Sequence, residues 1–201
     1  PNDQGGVGWH WLNGTQAYRA KFDPADKRIP GTFINEYPST RITNDAGEPQ
    51  IVTWSTDTSY KRRRFGDMVS ADADTNNTED LVFSAEWAAK YTEVGISNAT
   101  LSEKNTVYLR LADVLLGHSE AANESGTGDA FFGINLVRER AGLPVLSGLS
   151  QDQLRDSIVN ERVLEFGFEA EVYPELKRKS TFGGSPDYLG DYIQEFIDTY
   201  N

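Results

Sequence analysis

The chain has 201 residues, of which 31 are acidic, 19 are basic and none is cysteine, and its net charge at pH 7 is −12. This length suffices for one large domain that buries roughly 70% of the unfolded chain's surface, and the lack of cysteine excludes a disulfide scaffold, a thiolate nucleophile and a zinc finger. The acidic excess argues against a general nucleic-acid-binding protein, because phosphate contacts need clustered cations, and no apolar run is long enough to predict a membrane span.

The first half of the chain, residues 1–103, holds most of the glycine, threonine, asparagine and aspartate, and its hydrophobic periodicity is poor. This composition predicts short strands and structured loops, with one helix over Asp80–Tyr91. Beyond residue 103 the periodicity becomes helical. We therefore interpret residues 1–201 as a single region with a loop-rich part (1–103) and a helical part (104–201).

Aromatic side chains cluster near the beginning of the loop-rich part, in the glycine-rich segment GGVGWHWLNGTQAY. In an extended chain Trp9 and Trp11 point to the same side, and two neighbouring indoles can stack on the apolar faces of adjacent sugar rings. Asn13 can hold sugar hydroxyls, and Tyr18 and Trp54 are further candidates for ligand binding. The alternative is that the tryptophans anchor this part by burial, as most tryptophans do.

Two charged segments of the loop-rich part also have a functional and a structural interpretation. The run Lys61–Arg64 can cradle an anionic glycan, but charge runs usually face water and pair with nearby carboxylates. The segment Asp72–Asp80 matches half of a calcium loop, with Asn77 at the position of the required glycine and Phe83 at that of the closing glutamate. We predict solvated loops here, with no metal site and no cofactor.

The helical part begins with a helix from about Thr106 to Glu124, capped by Asn105 and stopped by Gly126. Its predicted apolar face consists of Leu109, Leu111, Ala112, Leu115, Leu116 and Ala122.

A second helix is predicted to begin after Asp129 and to end at Gly142, because Pro144 bars its continuation. The short link between the first two helices forces them into an antiparallel pair. One such pair cannot bury its own apolar face. We expect its neighbours to be the third helix and further helices that lie outside this chain.

A third helix opens with Ser150 and Gln153, a capping-box pair, and must break or kink by Pro174. A fourth amphipathic stretch closes the chain, with apolar residues at helical spacing: Leu189, Tyr192, Ile193, Phe196 and Tyr200.

The helical part resembles the carboxy-terminal signature of the SusD/RagB family in three blocks: YLRLADVLLGHSEAANESG (Tyr108–Gly126), INLVRERAGLP (Ile134–Pro144) and LRDSIVNERVLEFGFE (Leu154–Glu169). In AYRAKFDPADKRIPGTF, Asp26 and Arg28 occupy the places of the family's Asp-x-Arg segment. The chain departs from the family pattern after Glu169, where Gly-His-Arg and an aromatic pair are missing, and in its closing amphipathic stretch.

This resemblance implies a mainly α fold: a SusD-like α-α superhelix of tetratricopeptide-like helices, with a loop-rich subdomain that contains short strands. It implies a surface-exposed lipoprotein of the outer membrane that binds oligosaccharide without catalysis and delivers it to a SusC-like TonB-dependent transporter. A peptide-binding member of the same family is the alternative. Family chains are longer, so the resemblance implies that this chain is the later part and that the lipid anchor lies outside it.

Charged residues on the third helix are interpreted as structural. Glu161, Arg162 and Glu165 lie within about one turn of each other on a helix that otherwise packs through aliphatic residues. Arg110 and Arg138, together with Arg140, are the expected partners on neighbouring helices, because partly buried charges need partners.

Two further function classes have less support in the sequence. An acidic glycoside hydrolase would use paired carboxylates, but the sequence contains no GxSxG, HExxH or phosphate-loop motif. A helical-repeat scaffold for protein partners would explain the helices but not the aromatic, glycine-rich beginning of the chain. We therefore predict a binding protein and no enzyme activity.

Overall fold

The computed structural model describes residues 16–34, 36–54, 82–83, 87–90, 107–169, 171–182 and 187–200. The chain divides into two compact units, which we call the strand unit (Pro1–Arg19 and Pro30–Asn105) and the helical unit (Ala20–Ile29 and Thr106–Asn201). One boundary lies beside the composition change near residue 104. The assignment of Ala20–Ile29 to the helical unit has no counterpart in the sequence prediction.

The strand unit contains short strands in two described sheets. The strands are β1 (Phe33–Ile34), β2 (Glu36–Thr43), β3 (Pro49–Trp54), β4 (Val82–Phe83) and β5 (Trp87–Ala88). β1 pairs antiparallel with β5, whereas β3 lies between β2, its antiparallel neighbour, and β4, which is parallel to it. The β2–β3 turn is closed by Asn44, whose side-chain oxygen accepts hydrogen bonds from the N–H groups of Ala46 and Glu48. Gly47 has a φ of 80° there, a conformation that favours glycine.

The helix predicted over Asp80–Tyr91 is wrong. The described residues of this range form β4 and β5, which pair with Thr53–Trp54 and Phe33–Ile34. The backbone partners lie far away along the chain, so the local apolar pattern could not reveal them. Long-range pairing overrides local propensity here.

The helical unit contains the long described helices. These are α3 (Leu111–Ser125), α4 (Phe131–Ala141), α5 (Gln151–Phe166), α6 (Val172–Phe182) and α7 (Tyr188–Tyr200); two short helices, α1 (Gln16–Ala20) and α2 (Ile29–Thr32), lie at the unit boundaries. The core is formed by apolar residues of α3, α4 and α5: Ala112, Leu116, Ile134, Val137, Leu154, Ile158 and Phe166. The prediction of a mainly helical chain with short strands in a loop-rich part is confirmed over the described residues.

Three helix ends follow the predicted chemistry. Gly126 and Gly142 end α3 and α4 with φ of 66° and 75°, the left-handed conformation in which glycine avoids the Cβ penalty. Ser150 caps α5 in a capping box: its hydroxyl accepts from the Gln153 N–H, and the Gln153 side chain accepts from the Ser150 N–H. These boundaries were fixed by local hydrogen bonding, which explains why sequence patterns found them.

The predicted start of α3 is wrong. The helix begins at Leu111 rather than near Thr106, because Arg110 has an extended backbone and occupies the N-cap. Two members of the predicted apolar face, Leu109 and Leu111, are 68% and 71% exposed, while Asn105 lies outside the described residues. The buried side of α3 is narrower than predicted and consists mainly of Ala112, Leu116, Ser119, Ala122 and Asn123.

The sequence pattern does not predict α6, because Pro174 favours a break in the helix. In the structure Pro174 lies in the first turn of α6, where the backbone N–H groups have no partner within the helix and a missing N–H costs nothing. α7 matches the predicted amphipathic stretch. The N–H of Leu189 in its first turn donates to the Ser180 hydroxyl of α6 at 2.9 Å.

Candidate functional site

Two glutamates of α5 form the centre of a buried charge cluster. Glu161 is 1% exposed and Glu165 is 3% exposed, although both carry carboxylates. Because they are four residues apart on a helix, their side chains lie on one face. Carboxylates this deeply buried require cationic partners, and four arginines provide them. We call this set, Glu161 and Glu165 with Arg28, Arg110, Arg138 and Arg140, the α5 charge cluster.

Arg28 contacts three carboxylates at once. Its Nη1 donates to Glu161 Oε1 at 2.7 Å and to Glu165 Oε2 at 3.1 Å. Its Nε and Nη2 form a fork on Asp26, with 2.7 Å between Nη2 and Oδ2. Burial acts to lower the pKa of the Arg28 guanidinium, but the Asp26 hydrogen bond and the charge of Glu161 outweigh it and raise that pKa. Arg28 therefore stays charged.

Arg110 reaches the cluster from the N-cap of α3. Its Nη1 lies 2.5 Å from Glu165 Oε1, and its Nη2 donates to the Glu165 carbonyl at 2.8 Å. Its Nε and Nη2 also form a fork on the Glu169 carboxylate. The guanidinium lies 4.4 Å from the centre of the Phe166 ring, a cation–π distance.

The other two arginines come from α4. Arg138 donates to Glu161 Oε2 at 3.0 Å and to the carbonyl of Pro144 at 2.8 Å. Arg140 forms a hydrogen bond with Glu165 through Nη2. The structure thus brings together five of the six charged residues that the sequence analysis singled out, whereas Arg162 pairs with Asp113 and Glu175 instead.

The environment of Glu165 determines its protonation. Burial acts to raise the pKa of its carboxyl, but hydrogen bonds from Arg140 and Arg110 outweigh this and lower the pKa to about 2 from an ordinary 4.5. A carboxylate that is held ionised and enclosed by guanidinium groups is unsuited to general acid catalysis. Both oxygens of Glu165 are thus occupied by guanidinium groups.

The low pKa of Glu165 predicts acid sensitivity of the fold. Its folded pKa is lower than the unfolded one, so its stabilising contribution is complete above about pH 5 and is lost as the pH falls toward 2. We expect the free energy of unfolding of the wild type to fall by about 3 kcal/mol more than that of Glu165→Gln across this range. Urea unfolding at several pH values measures the difference; parallel pH profiles would contradict it.

The charged groups around Glu165 are the three arginines that bind its oxygens and the carboxylates that bind the same arginines: Asp26, Glu161 and Glu169.

A second group of charges links α3, α5 and α6. Arg162 contacts Asp113 at 2.8 Å and Glu175 at 3.2 Å, and Lys179, only 5% exposed, lies 2.6 Å from Glu120. Each of these contacts joins two helices within the helical unit. Like the α5 charge cluster, they compensate charges that packing has removed from water.

The predicted ligand-binding residues lie in the strand unit, and most of them cannot be placed. Trp9, Trp11 and Asn13 lie outside the described residues. Trp54 belongs to β3, but its side chain is not described. Tyr18 is described: it is 7% exposed and packs against Phe33, with 5.7 Å between ring centroids. Its ring is therefore buried against a residue of β1.

The two segments that could bind an anion or a calcium ion cannot be placed either. Lys61–Arg64 and Asp72–Asp80 both lie outside the described residues. Among the residues that are described, no group of three or more histidine, aspartate or glutamate side chains is arranged to hold a metal. Within that same part of the chain, every helix is too short or too polar to cross a bilayer.

Sequence reasoning missed one member of the charge cluster. Arg28 is 133 residues from Glu161 in the sequence, and no periodicity connects them. The available indication was the Asp-x-Arg resemblance at Asp26 and Arg28, which gave the residues without their partners.

Comparisons with known proteins agree with the resemblance. A family model described as the SusD family matches residues 11–201. The SusD-like protein P2 of Formosa agariphila is 35% identical over 99 residues, which cover 44% of this chain and 20% of that protein. A crystal structure of a SusD superfamily protein from Parabacteroides distasonis superposes with a TM-score of 0.54 at 21% identity, covering 82% of this chain and 31% of that one. A SusD-like protein from Bacteroides fragilis gives a TM-score of 0.43 at 25% identity, covering 74% and 26%.

The match to the Parabacteroides distasonis structure establishes the fold predicted from the resemblance. The Parabacteroides distasonis structure covers most of this chain, and its similarity shows the SusD-type helical fold. The matched part of this chain spans about a fifth of the curated relative and less than a third of that structure.

Proposed function

Because this chain belongs to the SusD family, we propose that it binds a nutrient oligosaccharide without catalysing a reaction on it. The observation that carries this proposal is the family match over residues 11–201, which includes both units of the chain. Family membership supports a glycan- or nutrient-binding role in general; the choice of oligosaccharide is our proposal.

The residues proposed to contact the glycan are in the strand unit. Trp9 and Trp11 would offer their indole faces to sugar rings, since the C–H face of a sugar is apolar. Asn13 would hold hydroxyl groups, and Trp54 would add a further aromatic surface. Tyr18, which is buried against Phe33, would support this segment rather than stack on the ligand.

The helical unit supports a non-catalytic role. The most deeply buried acidic pair of α5 is neutralised by arginines, so it supplies neither a free acid nor a free base. We propose that these residues, Arg110, Arg138, Glu161, Arg162 and Glu165, are structural. A helical unit whose buried acidic pair is neutralised fits a capture function better than a hydrolytic one.

The proposed cellular setting follows from the family. We propose that the protein acts at the surface of the outer membrane, held there by a lipid anchor outside this chain. Its proposed partner is a SusC-like TonB-dependent transporter that takes up the captured glycan. Co-purification of the tagged protein with such a transporter from outer membranes tests this setting.

Binding measurements on aromatic variants test the proposed function. In calorimetry against a panel of neutral and anionic oligosaccharides, we expect at least one ligand whose affinity falls about fivefold in Trp9→Ala or Trp11→Ala, because a lost stacking contact is worth about 1 kcal/mol. Tyr173→Ala is the matched control, since Tyr173 is a 60% exposed aromatic residue of α6 in the helical unit.

Two further measurements separate the competing functions. Release of reducing sugar by the purified protein would support a glycoside hydrolase and contradict the proposal. Binding of peptides but not of any glycan would favour a peptide-binding member of the family. An equal loss of affinity in Tyr173→Ala would show that the effect does not come from the aromatic segment.

A further inference from the structure

The segment Ala20–Ile29 belongs to the helical unit, whereas the chain on both sides of it belongs to the strand unit. The backbone passes from one unit to the other between Arg19 and Ala20, again between Ile29 and Pro30, and a third time after Asn105. Two of these three passages are therefore the ends of one short segment.

A backbone hydrogen bond holds the segment on α4, and apolar side chains near its two ends are buried. The N–H of Lys27 donates to the carbonyl of Ala141, the last residue of α4, at 2.9 Å. The Lys27 side chain lies across Gly142, where a Cβ would come within 2.9 Å of Lys27 Cε. Phe22 and Ile29, near the two ends of the segment, are 4% and 8% exposed.

Arg28 supplies the strongest attachment. Its guanidinium bridges Asp26 of the segment itself to Glu161 and Glu165 of α5. The Asp26 side chain, which is 2% exposed, also accepts a hydrogen bond from the Arg28 N–H at 2.9 Å. This closes the turn and orients the arginine. Charge-assisted forks of this kind combine strength with fixed geometry.

We propose that Ala20–Ile29 is a strap held on α4 and α5, and that Arg28 is its lock. Arg28 fixes the strap to the buried glutamates of α5. Without Arg28, the hydrogen bond from the Lys27 N–H to the Ala141 carbonyl would have to hold the strap without these ion pairs. This inference rests on the described contacts and not on the proposed ligand.

Hydrogen exchange on Arg28→Gln tests the strap in the intact protein. We expect the amides of Ala20–Ile29, and the Lys27 N–H in particular, to exchange at least about tenfold faster than in the wild type, because the charged forks no longer hold the segment closed. Core amides of α3 and α5 should change much less. Arg155→Gln is the matched control, since Arg155 is an α5 arginine that also holds two carboxylates, those of Glu124 and Asp152.

A second variant distinguishes opening of the strap from loss of the whole fold. Unchanged protection of the strap in Arg28→Gln, or equal acceleration in Arg155→Gln, would overturn the proposal. If Arg28→Gln does not fold, Arg28→Lys decides the question: it keeps the charge, but a single ammonium cannot fork on Asp26 while bridging two glutamates. Faster exchange confined to the strap in that variant supports the lock, and wild-type protection contradicts it.

Discussion

Replacing Glu165 by glutamine is expected to destabilise the helical unit by about 3–5 kcal/mol. The carboxylate accepts from Arg28, Arg110 and Arg140, and its side chain is 2% exposed. A glutamine offers one acceptor oxygen and an NH2 group, so at least one guanidinium would face a donor and lose one of its acceptors. Because Arg28 is only 10% exposed, water cannot replace the lost acceptor cheaply. Urea unfolding followed by far-UV circular dichroism measures the loss.

Glu124→Gln is the matched control for this prediction. Glu124 also pairs with an arginine, Arg155 at 2.6 Å, but its side chain is 41% exposed. An exposed pair of this kind contributes less than about 1 kcal/mol. If Glu165→Gln cost no more than Glu124→Gln, the buried position of the α5 charge cluster would have no energetic consequence, and its structural assignment would be wrong.

The parts of the fold that sequence predicted are those governed by local chemistry. The capping box at Ser150 and the glycine ends of α3 and α4 use hydrogen bonds within a few residues, so their patterns are visible in the sequence. The link between α3 and α4 was short enough to require that the two helices pack against each other. Proline is tolerated in the first turn of a helix and breaks a helix elsewhere. The effect of Pro174 therefore depended on where α6 starts, which the sequence did not indicate.

The parts that sequence missed depend on distant partners. β5 forms because Trp87 and Ala88 pair with β1, and nothing near β5 indicates that partner. The start of α3 at Leu111 depends on Arg110, whose guanidinium is bound to Glu165 and Glu169. In each case a tertiary contact overrides the local preference.

The candidate site also divides into features that local spacing indicated and features that depend on distant partners. Charged residues at helical spacing indicated that α5 carries structural ion pairs, and the neighbouring arginines were the obvious partners. The role of Arg28 could not be derived, since it lies on a segment with no regular periodicity and reaches Glu161 only after folding. The proposed aromatic residues, Trp9 and Trp11, still rest on composition and spacing.

Gly133→Ala is expected to destabilise the helical unit by about 3 kcal/mol or more, although alanine is the better helix former by about 1 kcal/mol. A Cβ at Gly133 would lie 1.9 Å from the Leu115 carbonyl oxygen and 2.9 Å from Ser119 Oγ. The first of these atoms belongs to the backbone of α3, so it cannot swing aside as a flexible side chain could. The two helices would have to separate, which would loosen the packing of Leu116 and Ile134, both 0% exposed, and lengthen the 2.8 Å hydrogen bond from the Ile134 N–H to Ser119.

Gly117→Ala provides a control of opposite sign. Gly117 lies inside α3, and a Cβ there would meet no atom within 4 Å. The substitution should therefore show only the propensity gain and stabilise the protein by up to about 1 kcal/mol. Thermal unfolding of the two variants should move the melting temperature in opposite directions. A stabilising Gly133→Ala would mean that α3 and α4 do not approach as closely as the structure places them, and the packing of the α3–α4 pair would need to be revised.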